Sequence, residues 1–430
     1  MSIEEKVARV REAHGRRARD ARGWWVPGRI EVLGKHTDYV GGRSLLCAVE
    51  QGFAVSALPR TDSRLRVIDV ATGESTDAEI SPALAPRAGH WSNYPLTVAR
   101  RLARDFPGAQ RGVDLAVASD LPIAAGLSSS SAFVVATYLA LADANALAER
   151  PDHRAVIGTQ EQLAEYLGAV ENGLTYRMLA EDHGVGTSGG SEDHTAILLG
   201  ERDAVIQSSC APVRVERVVP LPADAVFVIA ASGVLAEKTG ATMAHYNAVA
   251  ARAKAVLELW RSVSPTEESP TLAALLASSD DAYERLDRVL GEIAHPRHPA
   301  ESLRRRLRQF RDESMEIIPA AAEALARGDL AHFGALVDRS QAGAEWGLEN
   351  QIPETIALAR DARELGAIAA SAFGAGFGGS VYALVREGDA VAFREAWQSR
   401  YLARFPQHAA TARFFVTRAG TRAMGIEQKS

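Results

Sequence analysis

Apolar positions along this chain fall into two rhythms, one for each half. In the first half they form short runs at Phe53–Leu58, Leu65–Val70 and Val113–Ala118, each bounded by charged or turn-forming residues. Such runs predict β-strands, because successive strand side chains point to opposite faces. A helical run follows from Phe133 to Leu147. The stretch Asp203–Pro222 alternates like a strand but is broken by prolines, which predicts a passage between the halves. Ala225–Ala231 then reads as a fully buried strand, and helical spacing takes over at Lys238–Val263, Leu272–Ile293, Ser302–Leu325 and Ile352–Glu364. Polar loops are predicted at Ser264–Pro270 and Pro296–Pro299, and a late strand at Val381–Val385. The segment Met1–Arg22 mixes charge with alanine and valine, which predicts an amphipathic helix lacking the apolar centre of a signal peptide. Periodicity alone therefore gives two α+β domains.

Three polar or glycine-rich segments interrupt these rhythms. The first is Gly28-Arg29-Ile30-Glu31-Val32-Leu33-Gly34-Lys35-His36-Thr37-Asp38-Tyr39, a strand-like run opening into a turn crowded with charge. Buried polar groups without partners cost about 1–3 kcal/mol each, so such a cluster calls for a polar ligand. A sugar suits it, with a hydroxyl for each donor or acceptor; an ordinary polar surface loop is the alternative. The second is Gly126-Leu127-Ser128-Ser129-Ser130-Ser131-Ala132, at the start of the Phe133 helix. Free N–H groups and the helix dipole at such a start suit phosphate, and serine hydroxyls can bind magnesium. A plain serine N-cap is the alternative, although four serines exceed what a cap needs. The third is Phe373-Gly374-Ala375-Gly376-Phe377-Gly378-Gly379-Ser380. Its uncharged flanks, Ile368 to Val385, are long enough to raise the membrane question, but the glycines favour a flexible loop beside a nucleotide or sugar.

In this order and separation the three segments resemble the signature motifs of the GHMP kinases. The first looks most like that of galactokinases, Gly-Arg-x-Asn-x-Ile-Gly-Glu-His-Thr-Asp-Tyr-x-x-Gly. Trp91-Ser92-Asn93-Tyr94 resembles their Trp-x-Asn-Tyr segment, and Phe310 to Ser340 looks like their C-terminal helical pair. The resemblance runs from about Val26 to Phe415. It implies a two-domain α+β GHMP kinase fold, with an N-terminal domain like the second domain of ribosomal protein S5 over residues 1–215 and a ferredoxin-like C-terminal domain over residues 216–430. It also implies the reaction, phosphoryl transfer from ATP to a sugar's anomeric hydroxyl with Mg2+ as cofactor.

Roles carry over residue by residue as implications of this likeness. Arg29 and Asp193 would be the catalytic pair, with Asp193 as base or orienting group; an N-cap is its alternative. His36, Asp38, Gly190 and Tyr246 would hold the sugar, with Lys35 beside them. Trp91, Gly126, Leu127, Ser128, Ser129, Ser130, Gly376 and Gly378 would handle the nucleotide. Ser130 and Glu171 would bind the metal, with Glu165 or Glu181 as substitutes for Glu171, which stands farther from Asp193 than the family pattern has it.

Composition narrows the picture further. A net charge of −6 gives no sign of nucleic-acid binding, and the basic run Arg304-Arg305-Arg306 reads as a solvated helix face. Two cysteines, Cys47 and Cys210, make a disulfide framework unexpected and fit a reducing cytoplasm. The partners expected are a small sugar and ATP, with no nucleic acid and no membrane, for a cytoplasmic monomer or small homo-oligomer.

The departures from the family pattern concern the sugar. Lys35 stands where the family has Glu, Ser191-Glu192 where it has Ile-Met, and Ala375 where a third glycine is customary. An ammonium cannot accept the hydrogen bond a carboxylate would. Three readings follow: a kinase for galactose or a related aldose, a kinase for a uronic acid with Lys35 as its counter-ion, or a non-catalytic sugar sensor. Pairing of Lys35 with Glu31, Glu192 or another acid is the alternative to the counter-ion role.

Overall fold

The computed structural model describes residues 2–122, 126–234, 240–264 and 269–427. Its strands are β1 (Arg22–Leu33), β2 (Arg43–Pro59), β3 (Arg64–Asp69), β4 (Ser75–Glu79), β5 (Val113–Ser119), β6 (Ala204–Ser209), β7 (Arg214–Pro220), β8 (Ala225–Ala231), β9 (Ala369–Phe373), β10 (Ser380–Arg386), β11 (Arg413–Thr417) and β12 (Met424–Ile426). One sheet runs in the order β12-β1-β2-β5-β3-β4, with β6 added to β2 and β7 to β6. The other runs β11-β8-β10-β9. Helices cover both, and the mixture is α+β as the sequence predicts.

The strand β8 explains why its sequence is unbroken in hydrophobicity. Phe227, Ile229 and Ala231 enter the large core shared with β1, whereas Val226, Val228 and Ala230 face a second core around Trp397 and Tyr401. A strand buried on both faces needs apolar residues at every position. The large core also takes in Val26, Ile30, Tyr382 and Leu384, so the two sheets share one apolar interior, and Tyr382 donates to the carbonyl of Val32 at 2.9 Å. The clefts described below open along this seam.

Some elements differ from the sequence expectation for identifiable reasons. Asp203–Pro222 is a hairpin of β6 and β7 within the first sheet, so that sheet runs past residue 215 to Pro220 and later takes back β12. Leu272–Ile293 is two helices, Leu272–Leu276 and Ala282–Glu292. The break falls at Ser278 and Ser279, whose hydroxyls donate to the Leu275 carbonyl and to Asp281, and such local bonds compete with the helix. Ser302–Leu325 is realised as Ala300–Arg311 and Ile318–Ala326, joined by a π-helical turn at Asp312–Ile317 just before Pro319. At the N-terminus, Ile3–Arg11 is a helix with a Ser2/Glu5 capping box, and the following turn kinks at Gly15, where φ is 56°.

The glycine-rich third segment joins β9 to β10, which pair antiparallel. No described helix is long and apolar enough to cross a membrane.

Candidate active site

The site begins with an irregularity in β1. The register of β1 on β2 shifts between Pro27 and Arg29, and the Arg29 N–H leaves the ladder to donate to the Leu127 carbonyl at 3.2 Å. Such a bulge re-aims the side chain that follows it. Arg29 is 3% exposed, and its guanidinium donates from Nε to Asp193 Oδ1 at 2.7 Å and also to the Gly126 carbonyl. Burial opposes its charge, but Asp193, Glu192 and Glu31 together hold its pKa above the ordinary value. Asp193 lies in the first turn of the helix Glu192–Leu199, where the dipole favours an anion, and it is not the N-cap. The other Asp193 oxygen accepts from Ser131 Oγ at 3.2 Å, and Ser131 Oγ also meets Glu171 Oε2 at 2.8 Å. Glu171 Oε2 is 3.0 Å from His194 Nε2.

These groups line a pocket of about 450 Å³ together with His36, Asp38, Tyr39, Asn172, Gly189, Gly190 and Tyr246. Asp38 holds the turn ahead of Asp193, accepting from the Gly190 N–H at 3.0 Å through Oδ2 and from its neighbour Tyr39 N–H through Oδ1. A side chain at Gly190 would put its Cβ 2.5 Å from Asp38 Oδ2, so only glycine permits the approach. Burial, and then the nearby Asp193 charge, pushes the Asp38 pKa up. The same turn is fastened from below by Asn172, whose amide accepts from Thr187 and the Gly189 N–H and donates to the carbonyls of Gly168 and Gly190. Tyr246 packs against the His36 ring with centroids 5.2 Å apart.

Lys35 does not line this pocket. It is 1% exposed and turns into the interior, donating from Nζ to Ser340 Oγ at 3.1 Å, which in turn donates to Glu313 Oε1 at 2.8 Å. Glu313 also takes the Gly34 N–H at 2.9 Å. Burial raises the Glu31 carboxyl to about 7 against the pull of Lys35 and Arg29, and Glu31 accepts from the Gly374 N–H at 3.1 Å. Glu192 is pushed well above the carboxylate range by burial and then by Glu31, Asp38 and Asp193, and it accepts from Ser44. Lys35 thus turns away from the pocket to a serine hydroxyl, within electrostatic reach of Glu31, and among the described residues it makes no direct ion pair with Glu31 or Glu192.

Beside this pocket lies an open cleft of about 1810 Å³, sharing Arg29, Gly374 and Ala375 with it. Trp91, Gly126, Ser128, Ser129, Ser130 and Gly376 line the cleft, with Phe53 and Phe133. Phe53 stacks on Phe133 at 5.5 Å and Trp91 on Phe133 at 6.1 Å, which makes an apolar wall of parallel rings. Ser128 caps the helix Ser129–Ala144 by position, yet its side chain makes no capping bond, which leaves the N–H groups of the first turn open toward the cleft. Leu127 is in the core instead, and Gly378 packs against Val234; neither lines the cleft.

Sequence reasoning missed several residues that complete the site. Ser131, rather than Ser130, meets Glu171 and Asp193, a choice set by which serine of the run faces β1 on the helix. Asn172 and His194 are sequence neighbours of Glu171 and Asp193, and adjacency was the only available signal. The basic run also divides: Arg304 pairs with Asp287 and Arg305 with Glu349, but Arg306 is 0% exposed and is no solvated face.

Comparison with known proteins identifies the family. The galactokinase galactose-binding signature matches residues 11–59, the GHMP kinases N terminal domain residues 93–201 and the GHMP kinases C terminal model residues 321–403. A galactokinase of Chloroflexus aurantiacus is 30% identical over 384 residues, covering 88% of this chain and 87% of its own length. One from Actinobacillus pleuropneumoniae serotype 5b is 29% identical over 380 residues, 85% of each chain. Among solved structures, Lactococcus lactis galactokinase complexed with galactose superposes with a TM-score of 0.79 over 98% of both chains at 24% identity. Methanococcus jannaschii mevalonate kinase gives 0.54 at 13% identity, covering 93% of this chain and 98% of its own. The three matched segments contain the strand that carries Arg29, the serine helix and the glycine loop, and on that agreement of sequence, fold and site the chain belongs to the galactokinase family of GHMP kinases.

Proposed function

We propose that this protein transfers the γ-phosphoryl group of ATP to the anomeric hydroxyl of galactose or a closely related neutral aldose. The observation that carries the reading is the Arg29–Asp193 pair, set where a small polar pocket meets a wide cleft faced by a helix N-terminus. The small pocket offers Asp38, Gly190 and Tyr246 to sugar hydroxyls, and the ring of His36, its nitrogens held by Tyr39 and Ala375, forms part of the wall. Trp91 and Phe133 offer ring faces to a planar base, while the N–H groups at Ser129–Ser131 and the glycine loop offer donors to phosphates.

In this reading the sugar oxygen attacks the γ-phosphorus as the bond to the leaving ADP oxygen breaks, and the hydroxyl proton is taken or directed by Asp193. Arg29 holds Asp193 through Oδ1, which leaves Oδ2 facing Ser131 and the pocket. The same guanidinium lies against both cavities and stabilises charge on the transferring group. The convergence of the Ser131 hydroxyl with Glu171 and Asp193 is an all-oxygen set that fits magnesium. Bound there, the ion would neutralise phosphate oxygen charge; Ser131 and Glu171 would hold it.

The turn of Lys35 away from the pocket supports a neutral sugar over a uronate, and the intact Arg29–Asp193 pair supports an enzyme over a sensor. ADP release measured over neutral hexoses and uronic acids tests this directly. Turnover is expected with galactose or a near stereoisomer, and turnover confined to galacturonate, or none with any sugar, would overturn it.

A further inference from the structure

The unexpected burial of Arg306 leads to the sugar pocket. Its guanidinium reaches from the helix Ala300–Arg311 into the first motif and, among the described residues, bonds uncharged groups: the His36 carbonyl, the Tyr39 hydroxyl at 3.3 Å and Gln309 Oε1 at 2.5 Å. A buried guanidinium whose hydrogen bonds go to neutral acceptors is expensive, because none of those partners carries an opposite charge to offset its desolvation. Its target is also unusual. His36 has φ of 58°, a left-handed conformation that a non-glycine residue adopts only where its surroundings impose it.

Hydrogen-bond polarity shows what the contact does. His36 Nε2 lies 3.0 Å from the Ala375 carbonyl, which can only accept, so Nε2 carries a proton. In the neutral ring Nδ1 is then an acceptor, and its partner at 3.0 Å, the Tyr39 hydroxyl, must donate to it. The Tyr39 oxygen is thereby left to accept, and Arg306 is a group that can only donate. With a neutral ring the chain of bonds has one direction, from Arg306 through Tyr39 and His36 to the glycine loop.

We propose that Arg306 is a positioning residue for the sugar site: it fixes the backbone and the Nε2–H tautomer of His36 and so sets the affinity of the pocket for sugar. The proposal rests on the reading of that pocket as the sugar site.

The test is calorimetric binding of galactose, and separately of ADP, to wild type, Arg306→Met, Arg306→Lys and Tyr39→Phe, with thermal midpoints for each. Loss of a hydrogen bond from a charged donor predicts galactose affinity lowered on the order of tenfold or more in Arg306→Met. Tyr39→Phe, which breaks the relay without touching the cation, should lose several-fold, and Arg306→Lys should recover part of the loss. ADP affinity should change far less, and any fall in midpoint should not track galactose affinity across the series. Unchanged galactose affinity in folded Arg306→Met or Tyr39→Phe would overturn the proposal, as would equal losses for galactose and ADP. Failure of the wild type to bind galactose would instead overturn the functional reading on which it rests.

Discussion

The pocket proposed for the sugar and the cleft proposed for the nucleotide meet at Arg29 and are built in opposite ways. The inner wall of the cleft is largely serines at a helix start, glycines and aromatic rings, groups whose chemistry depends little on distant partners. The pocket depends on charged side chains held by distant partners: Arg29 by the Asp193 carboxylate, Asp38 by the N–H of Gly190, and, behind it, Arg306 by the His36 carbonyl and the Tyr39 hydroxyl. Beneath it lies a second polar layer of Lys35, Ser340, Glu313 and Glu31. A cleft of the first kind tolerates sequence change nearby. A pocket of the second kind changes only in concert, because removing one buried partner leaves the other uncompensated. The exchanges at positions 35 and 192 fall in or under the pocket, and the Lys35 charge lies within electrostatic reach of Glu31.

The contrast is broken most sharply at the junction. Asp193→Asn is expected to lower kcat by a factor on the order of 10² or more while leaving ADP binding intact; comparable loss of ADP affinity, measured by calorimetry, would mean the two regions are not separable. Under the pocket, Lys35→Glu should act on the fold rather than on substrate choice. With a buried cation replaced by an acid beside Glu31, a stability loss of roughly 3 kcal/mol or more is expected from denaturant titration, and the ratio of kcat/KM for galactose to that for galacturonate should stay unchanged. A reversed ratio would return Lys35 to the pocket.

Two smaller effects sharpen the boundary. Ser131→Ala should raise the magnesium concentration needed for half-maximal rate several-fold, and more than Ser130→Ala, since Ser131 is the hydroxyl at Glu171; chelation of divalent ions should abolish turnover in all three proteins. The smallest effect concerns pH. The Glu31 pKa rises from 4.5 to about 7 on folding, so its neutral form is the one the fold favours. That contribution is complete below the unfolded value and is lost as pH rises through the folded one. Wild type should therefore lose more stability between about pH 5 and pH 8 than Glu31→Gln, which keeps an acceptor for the Gly374 N–H without the titration. Parallel curves in thermal melts would remove Glu31 from this role.

Much of the fold was legible in the chain, and the reason is local. The strands at Phe53–Leu58, Leu65–Val70 and Ala225–Ala231 announced themselves because pleat periodicity is a property of neighbours, and they appear as β2, β3 and β8. Element ends were less legible. The break at Ser278 depends on a side chain competing for a backbone carbonyl and the π-turn precedes Pro319, which has no N–H to give the ladder; a hydrophobic pattern records neither. The same limit governed Arg306, since the pattern cannot tell which arginine of three faces a distant loop.

By itself the sequence determined the three motifs, and with them the family and the chemistry of the groups present. Only the tertiary structure decided how those groups are paired. Arg29 reaches the serine loop at Gly126, Glu31 the glycine loop at Gly374, and His36 the same loop at Ala375, each across hundreds of residues or nearly a hundred. Bonds between groups so far apart in the chain follow from how two sheets share a core, and no local rule encodes them. The structure therefore turned Lys35 inward, chose Ser131 over Ser130 and buried Arg306, because burial and partner are properties of the folded neighbourhood rather than of the residue.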